Sequence, residues 1–548
     1  MKIQNPVLPG FHPDPSLLRV GNDYYIATST FEWFPGVCIC HSKDLANWKI
    51  VSYALTDDRK CDLTGLDMSC GIWAPNLTWH DGKFYLVYTI VYTDRQRYKD
   101  TWNFLITADD VRGPWSDPVK LNCSGFDPSL FHDGDKKYLV NMVIDHRADT
   151  VRFAGIDVQE YDEKRKCLIG EPVRVSPGTG RGDTEGPNIF KRGRYYYLTV
   201  AEGGTRYDHC TCVLRSESVW GPYEPDPHNP VLTSAGQENV LLERAGHSQA
   251  IEGADGNWYM AHLCSRPVRR NSILGRESAI QNIEWTQDGW FRLSANNTGK
   301  PEIFFEVPDA AICASESGTA EAGAERTGTT GSGTGTVLPA DRSQYVDFGD
   351  GMIPLEYMTL RRSFRTNGIR VSGGRLLIEG GASVMSKYFQ GLLARRQQSL
   401  NCDFETEMIF SPKHLNHIAG LLVYYNYDNH YYLKMSRAPE GLFLAVSSLV
   451  NRELTESEPV YLEEGTASVR LRAQIRTEEL QFWYSTDGDE FRPVGPVLDM
   501  KNISDEHIQG NGFTGSMLGV NCSDLQGDGC RAEFIYLSYR ECQLPVSK

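Results

Sequence analysis

The chain has 548 residues, of which 40% are apolar, 23% charged and 11% aromatic. That length gives two to four domains and a large core, and the composition is ordinary for a soluble globular protein. A formal net charge of -16 argues against nucleic acid or another polyanion as partner and fits a neutral substrate.

Residues 1–6 contain no apolar core of signal-peptide length, and no run of about 18 apolar residues follows, so neither export nor a membrane span is expected. The 14 cysteines include two C-x-C pairs, Cys38/Cys40 and Cys210/Cys212. Residues two apart on a strand share a face, but the extended backbone holds them too far apart for an unstrained disulfide. There is no C-x-x-C pair, so a structural zinc site is not expected. The cysteines read as free buried thiols in a reducing cytoplasm.

Phe11-His12-Pro13-Asp14-Pro15-Ser16 opens a pattern that recurs. Its varied copies are Gly71-Ile72-Trp73-Ala74-Pro75-Asn76, Gly125-Phe126-Asp127-Pro128-Ser129, Thr184-Glu185-Gly186-Pro187-Asn188 and Gly246-His247-Ser248-Gln249. Aligned on Pro15, Pro75, Pro128, Pro187 and Ser248, the copies are 60, 53, 59 and 61 residues apart. Each is followed by a hairpin signal: Gly21-Asn22, Asp81-Gly82, Asp133-Gly134, the weaker Arg192-Gly193, and Asp255-Gly256. A repeat of about 50–60 residues built from about four strands is a propeller blade. Residues 1–310 therefore read as a five-bladed β-propeller.

Further strands are expected at 37–40, 102–106, 212–215 and 275–285, with Trp48, Trp115 and Trp220 packing at blade edges. Residues 311–343 break the pattern. Thr327-Gly328-Thr329-Thr330-Gly331-Ser332-Gly333 and its neighbours read as a flexible Gly/Ser/Thr-rich linker or insertion. From 344 to 548 strand signals return at 376–379, 404–410, 420–425, 430–435, 442–446, 469–474, 480–484 and 533–537. Strands without helical period over about 200 residues predict a two-sheet β-sandwich. The fold class is all-β, a propeller followed by a sandwich.

The first strand of each propeller blade lines the central axis, so equivalent positions converge on one funnel. Asp14, Trp73, Asp127, Glu185 and His247 lie at or beside the repeat's key position. One carboxylic acid protonating a leaving oxygen, and a carboxylate activating water or attacking, are what glycosidic cleavage needs. A third carboxylate raises the acid's pKa and orients it. Phe31 and Trp73 suit the walls of a sugar site, and His247 and Arg276 suit its hydroxyls. Singly, each residue has a plain alternative: a turn-forming Asp, a solvated Glu, a core His or aromatic, a surface Arg. Their shared repeat position is what favours chemistry.

Together with Gly275-Arg276-Glu277, these motifs resemble glycoside hydrolase family 43, and within it the two-domain β-xylosidases, over nearly the whole chain outside the 313–342 stretch. The resemblance implies a five-bladed propeller with a C-terminal concanavalin-like β-sandwich. It casts Asp14 as general base, Glu185 as general acid and Asp127 as pKa modulator of an inverting enzyme. It places Phe31, Trp73, Thr205, His247 and Arg276 at the terminal-sugar subsite, with Phe513 of the sandwich closing the pocket. The expected enzyme is cytoplasmic, acts on xylooligosaccharides from the non-reducing end and forms a homodimer or homotetramer. It needs no cofactor, although some similar enzymes carry a calcium near the histidine matching His247. The rival readings are an α-L-arabinofuranosidase and a sugar-binding propeller without catalysis.

Overall fold

In the computed structural model, residues 1–95, 97–308, 336–338, 340–488 and 490–542 are described. They form no α-helix; one 3-10 turn, Met500–Ile503, interrupts an otherwise all-β chain.

Five sheets of antiparallel strands follow one another from residue 16 to residue 293. Blade 1 is Ser16–Val20, Asp23–Thr28, Gly36–Ser42 and Lys49–Leu55. Blade 2 is Gly71–His80, Lys83–Arg95, Tyr98–Ala108 and Val119–Lys120. Blade 3 is Ser129–Asp133, Lys136–Ile144, Phe153–Asp162 and Cys167–Ser176. Blade 4 is Glu185–Arg192, Tyr195–Glu202, Cys210–Ser216 and Glu224–Pro225, with Leu232–Thr233 beside the third strand. Blade 5 is Glu243–Glu252, Trp258–Ser265, Glu277–Trp285 and Phe291–Leu293. Every expected hairpin forms. Its turn glycine has positive φ in each case, from 59° at Gly193 to 78° at Gly82 and Gly256, a conformation that glycine adopts without a Cβ clash. That backbone need explains why Arg192-Gly193 turns as well as the Asx-Gly pairs.

The amino-terminal segment closes the ring against blade 5. Asn5 donates its amide to the Ile280 carbonyl at 2.7 Å, and its Oδ1 accepts the Ile280 N–H at 2.9 Å.

The carboxy-terminal sandwich packs two large sheets. One of them is buried on both faces. Leu393, Leu421, Val423, Leu518 and Val520 point into the sandwich core, while Leu392, Ala394, Leu422, Tyr424 and Met517 join the propeller's core, as the two-residue strand period requires. Trp33–Phe34 from blade 1 adds two residues to this same sheet, pairing with Thr359 and Leu360. The two domains thus share both apolar packing and a hydrogen-bonded strand edge.

Most of the stretch read as a linker lies outside the described residues. Within it, Thr336–Val337 forms a strand parallel to Lys2–Gln4 rather than coil. The thiols also need correction. The 13 cysteines described are all unpaired, but Cys123 is exposed and Cys167, Cys530 and Cys542 are half-buried. Trp48 and Trp115 pack as expected, whereas Trp220 is 37% exposed, with its ring in a T-shaped contact with Tyr138.

Candidate active site

The repeat has a backbone signature. The residue before each aligned Pro or Ser is left-handed in all five blades: Asp14 (φ 55°), Ala74 (29°), Asp127 (53°), Gly186 (57°) and His247 (48°). Non-glycine residues rarely adopt this conformation, and it recurs where strain serves a site. In blades 1, 3 and 5 the left-handed residue itself carries the polar group. In blades 2 and 4 it is Ala74 and Gly186, and the functional side chain is one residue earlier, on Trp73 and Glu185. Gly186 has a packing reason as well: a Cβ there would meet the His247 ring at 2.9 Å.

All nine expected residues line one cavity of about 260 Å³: Asp14, Asp127, Glu185, Phe31, Trp73, Thr205, His247, Arg276 and Phe513. Asp14 is 6% exposed. Burial pushes its carboxyl up, but three neighbours outweigh that and hold it below the usual carboxylate range. They are Arg276 (Nη1 to Oδ1, 3.0 Å), His247 (Nδ1 to Oδ1, 3.6 Å) and the Ser29 hydroxyl, which donates to Oδ2 at 2.6 Å. Glu185 has the opposite environment. Burial, then the charges of Asp127 and Asp183, lift it well above the ordinary value, and Lys99 opposes them. Asp127 is raised to about 6, chiefly by burial, against the pull of His247. Its Oδ2 accepts the Gly186 N–H at 2.9 Å, which ties it to the residue next to Glu185.

Three rings make the apolar wall. Phe31 and Trp73 stand 6.0 Å apart between centroids, and Phe513 lies 5.8 Å from Phe31 and 5.4 Å from Trp73. Arg276 sits over Phe513 at 5.0 Å and donates to its carbonyl at 3.3 Å. The sandwich loop bearing Phe513 docks through glycine. A Cβ on Gly275, which has φ 74°, would lie 1.8 Å from the Thr514 carbonyl oxygen.

Sequence reasoning missed the rim. Lys83–Arg95 and Tyr98–Ala108 of blade 2 are 13 and 11 residues long, and this long hairpin brings Asp94 and Lys99 to the cavity. Lys99 pairs with Asp94 at 2.8 Å and lies over the Trp73 ring at 4.6 Å. Asn511 of the sandwich donates to Asp94. His209 is also in the wall, with its pKa lowered to about 3 by burial first and His247 second, so it is neutral. These residues lie off the repeat, and nothing in their local sequence distinguishes them from an ordinary hairpin or loop.

A propeller funnel with one carboxyl held ionised and another held protonated in the same cavity is the equipment of a glycoside hydrolase. The chain belongs to family 43 of the glycosyl hydrolases, whose model matches residues 3–291. Residues 345–540 match the C-terminal concanavalin A-like domain of beta xylosidase. Xylosidase/arabinosidase 43B of Humicola insolens is 42% identical over 100% of this chain and 99% of its own length. A beta-xylosidase of Bacillus subtilis (strain 168) is 38% identical over 99% of this chain and 100% of its own. The crystal structure of xylan beta-1,4-xylosidase from Bacillus halodurans C-125 superposes with a TM-score of 0.91 at 42% identity, covering 98% of this chain and 100% of that one.

Proposed function

We propose that this enzyme is an exo-acting, inverting β-xylosidase that releases D-xylose from the non-reducing ends of short β-1,4-xylooligosaccharides. The observation that carries the reading is the opposed proton affinity of two carboxyls in one small cavity: Asp14 held down and Glu185 held up. Asp14, ionised, takes a proton from water as that water attacks the anomeric carbon. Glu185, protonated, gives its proton to the leaving oxygen. Asp127 keeps Glu185 protonated by like charge and fixes the adjacent backbone. Phe31, Trp73 and Phe513 would wall the sugar ring, while Thr205, His247 and Arg276 would bond its hydroxyls. A cavity of about 260 Å³ lies below the roughly 300 Å³ lower end of pockets for drug-sized ligands, which suits one terminal sugar better than a passing chain.

A second reading, α-L-arabinofuranosidase activity at the same site, is favoured by the name of the Humicola relative. Proton NMR of nitrophenyl β-xyloside hydrolysis, whose leaving group is not a second xylose, tests the first. Inversion of a β-linkage must deliver α-xylose before mutarotation, and β-xylose appearing first would overturn inversion. Comparing nitrophenyl β-xyloside with nitrophenyl α-arabinofuranoside decides the main activity. Cleavage of only the arabinoside would overturn the xylosidase reading, and cleavage of neither would favour the sugar-binding alternative.

Calcium beside His247 would find few uncommitted protein oxygens and would take most of its ligands from water. The axial space there is about 10 Å³, close to one water. Of the amide oxygens around it, Gln249 Oε1 accepts from Ser16 and Asn188 Oδ1 from Asn76. Asp14 is engaged by Arg276 and Ser29. Calcium wants six to eight oxygens, and no step above passes through a metal. The thirteen thiols among the described residues, all unpaired, support a reducing, cytoplasmic setting. A homodimer or homotetramer is the assembly we expect, and sedimentation of the full chain measures it.

A further inference from the structure

His12, two residues before the proposed base, has no part in the chemistry above. Its ring points away from the funnel, toward the C-x-C pair of blade 1. Cys38 and Cys40 share one face of the strand Gly36–Ser42. One donor atom each from His12, Cys38 and Cys40 lie within 4.8 Å of one another. All three residues are buried, at 2%, 0% and 1% exposure.

The imidazole's state follows from its contacts. Nδ1 lies 3.1 Å from the Pro9 carbonyl oxygen. A carbonyl only accepts, so Nδ1 carries the proton and Nε2 presents a lone pair. Burial and then Arg396 lower the ring's pKa, so it stays neutral. Nε2 is fully buried, is matched by no nitrogen or oxygen, and faces the Cys38 sulfur, a setting that buried polar atoms rarely keep. An imidazole that donates one N–H to a backbone carbonyl and offers the other nitrogen is oriented as metal-ligating histidines are.

A buried cation, Arg396, stands beside the two sulfurs. Arg396 is 2% exposed, and its guanidinium meets neutral groups: Nε donates to the Phe11 carbonyl at 2.6 Å, Nη1 to the Tyr53 hydroxyl at 3.3 Å, and Nη2 to nothing. A cavity of about 360 Å³ between propeller and sandwich, lined by His12, Cys40, Trp48, Glu356 and Arg396 among others, reaches the cluster.

The geometry points to His12, Cys38 and Cys40 as a binding site for a thiophilic metal ion, zinc or copper(I), seated behind the catalytic strand of blade 1. Bonds of 2.3 Å to sulfur and 2.0–2.1 Å to nitrogen would set the donors about 3.5–3.8 Å apart, so the cluster must contract by up to about 1 Å. Two thiolates and one imidazole are a soft donor set that selects such ions over calcium or magnesium. Two thiolates also neutralise a divalent ion. Contiguous sequence gave no sign of this, because the usual zinc signature is C-x-x-C and here the third ligand comes from a different segment, 26 residues upstream of Cys38.

The test uses full-length, reduced, chelator-treated protein. One equivalent of Cd2+ should produce thiolate charge-transfer absorbance in the ultraviolet, and one ion per chain should survive gel filtration. Cys38→Ser and Cys40→Ser should each weaken binding at least about tenfold, while Cys264→Ser, at a buried thiol in blade 5, should not. Because either serine could disturb the core, zinc-edge X-ray absorption on the unsubstituted protein supplies a second measurement, and the expected shell holds two sulfurs and an imidazole nitrogen. Charge-transfer absorbance equal in folded Cys38→Ser and Cys40→Ser, or a zinc shell without two sulfurs, overturns the site. Neither result bears on hydrolysis, so this inference and the proposed activity fail separately.

Discussion

Asp127→Asn is the sharpest probe of how the pocket keeps its acid protonated. The asparagine Oδ1 can still accept the Gly186 N–H that Asp127 accepts at 2.9 Å, so the change removes charge with little change of shape. Asp127 titrates at about 6. At pH 5 it is mostly neutral and contributes little repulsion; at pH 8 it is almost fully ionised and contributes all of it. After burial, its charge is the largest cause raising Glu185. Losing a like charge at this range should lower the Glu185 pKa by about 1–2 units, or about 1.4–2.7 kcal/mol. On the alkaline limb kcat/KM follows the protonated fraction of Glu185, so that limb should move down by about 1–2 pH units, a fall of about 10- to 100-fold in xylobiose hydrolysis at a pH alkaline of both limbs. Near pH 5 the loss should stay within a few-fold. The assay is the kcat/KM profile for xylobiose from pH 4 to 9, read by released xylose. An alkaline limb that does not move in Asp127→Asn, with fold intact, would refute the like-charge argument.

Glu185→Ala should lower xylobiose turnover by about 10²–10⁴ and dinitrophenyl β-xyloside turnover far less, since that leaving group needs no proton; equal losses on both would count against Glu185 as the acid. Gly275→Ala places a Cβ 1.8 Å from the Thr514 carbonyl oxygen, at positive φ, and should unseat the loop bearing Phe513; KM should rise at least about tenfold while circular dichroism stays all-β. Glu32 lies 1% exposed near the domain junction, raised to about 7 chiefly by burial, with Arg361 opposing. A raised carboxyl stabilises the fold below its unfolded pKa of about 4.5 and loses that contribution as pH rises through 7. Glu32→Gln should therefore gain melting temperature relative to the parent between pH 5 and 8, by up to about 3 kcal/mol in stability; a difference independent of pH would show that Glu32 is not titrating there.

The repeat was legible because propeller geometry writes itself into sequence: one short polar motif and one turn glycine per blade. The sandwich was half legible. Strands 404–410 and 469–474 alternate buried and part-exposed residues and were read directly. Gly391–Arg396 and Met517–Asp524 were missed, because both their faces are covered, one by the sandwich core and one by the propeller. Strands of that kind lose their alternation, and here they also carry buried Arg395, Arg396 and Asn521, which read as surface.

The sequence by itself determined that three acids would share a funnel, since equal spacing in a closed ring forces equal radial position. It also named the family's walls, down to Phe513 from the far domain. The family resemblance cast Glu185 as the protonated acid, and only the tertiary structure gave the physical cause. That cause is burial together with Arg276 reaching Asp14 from blade 5 and Asp183 and Asp127 crowding Glu185, the charges being through-space terms between residues mostly distant in the chain. Folding likewise set the lone pair of His12 against Cys38 and Cys40, a meeting that no local spacing announces.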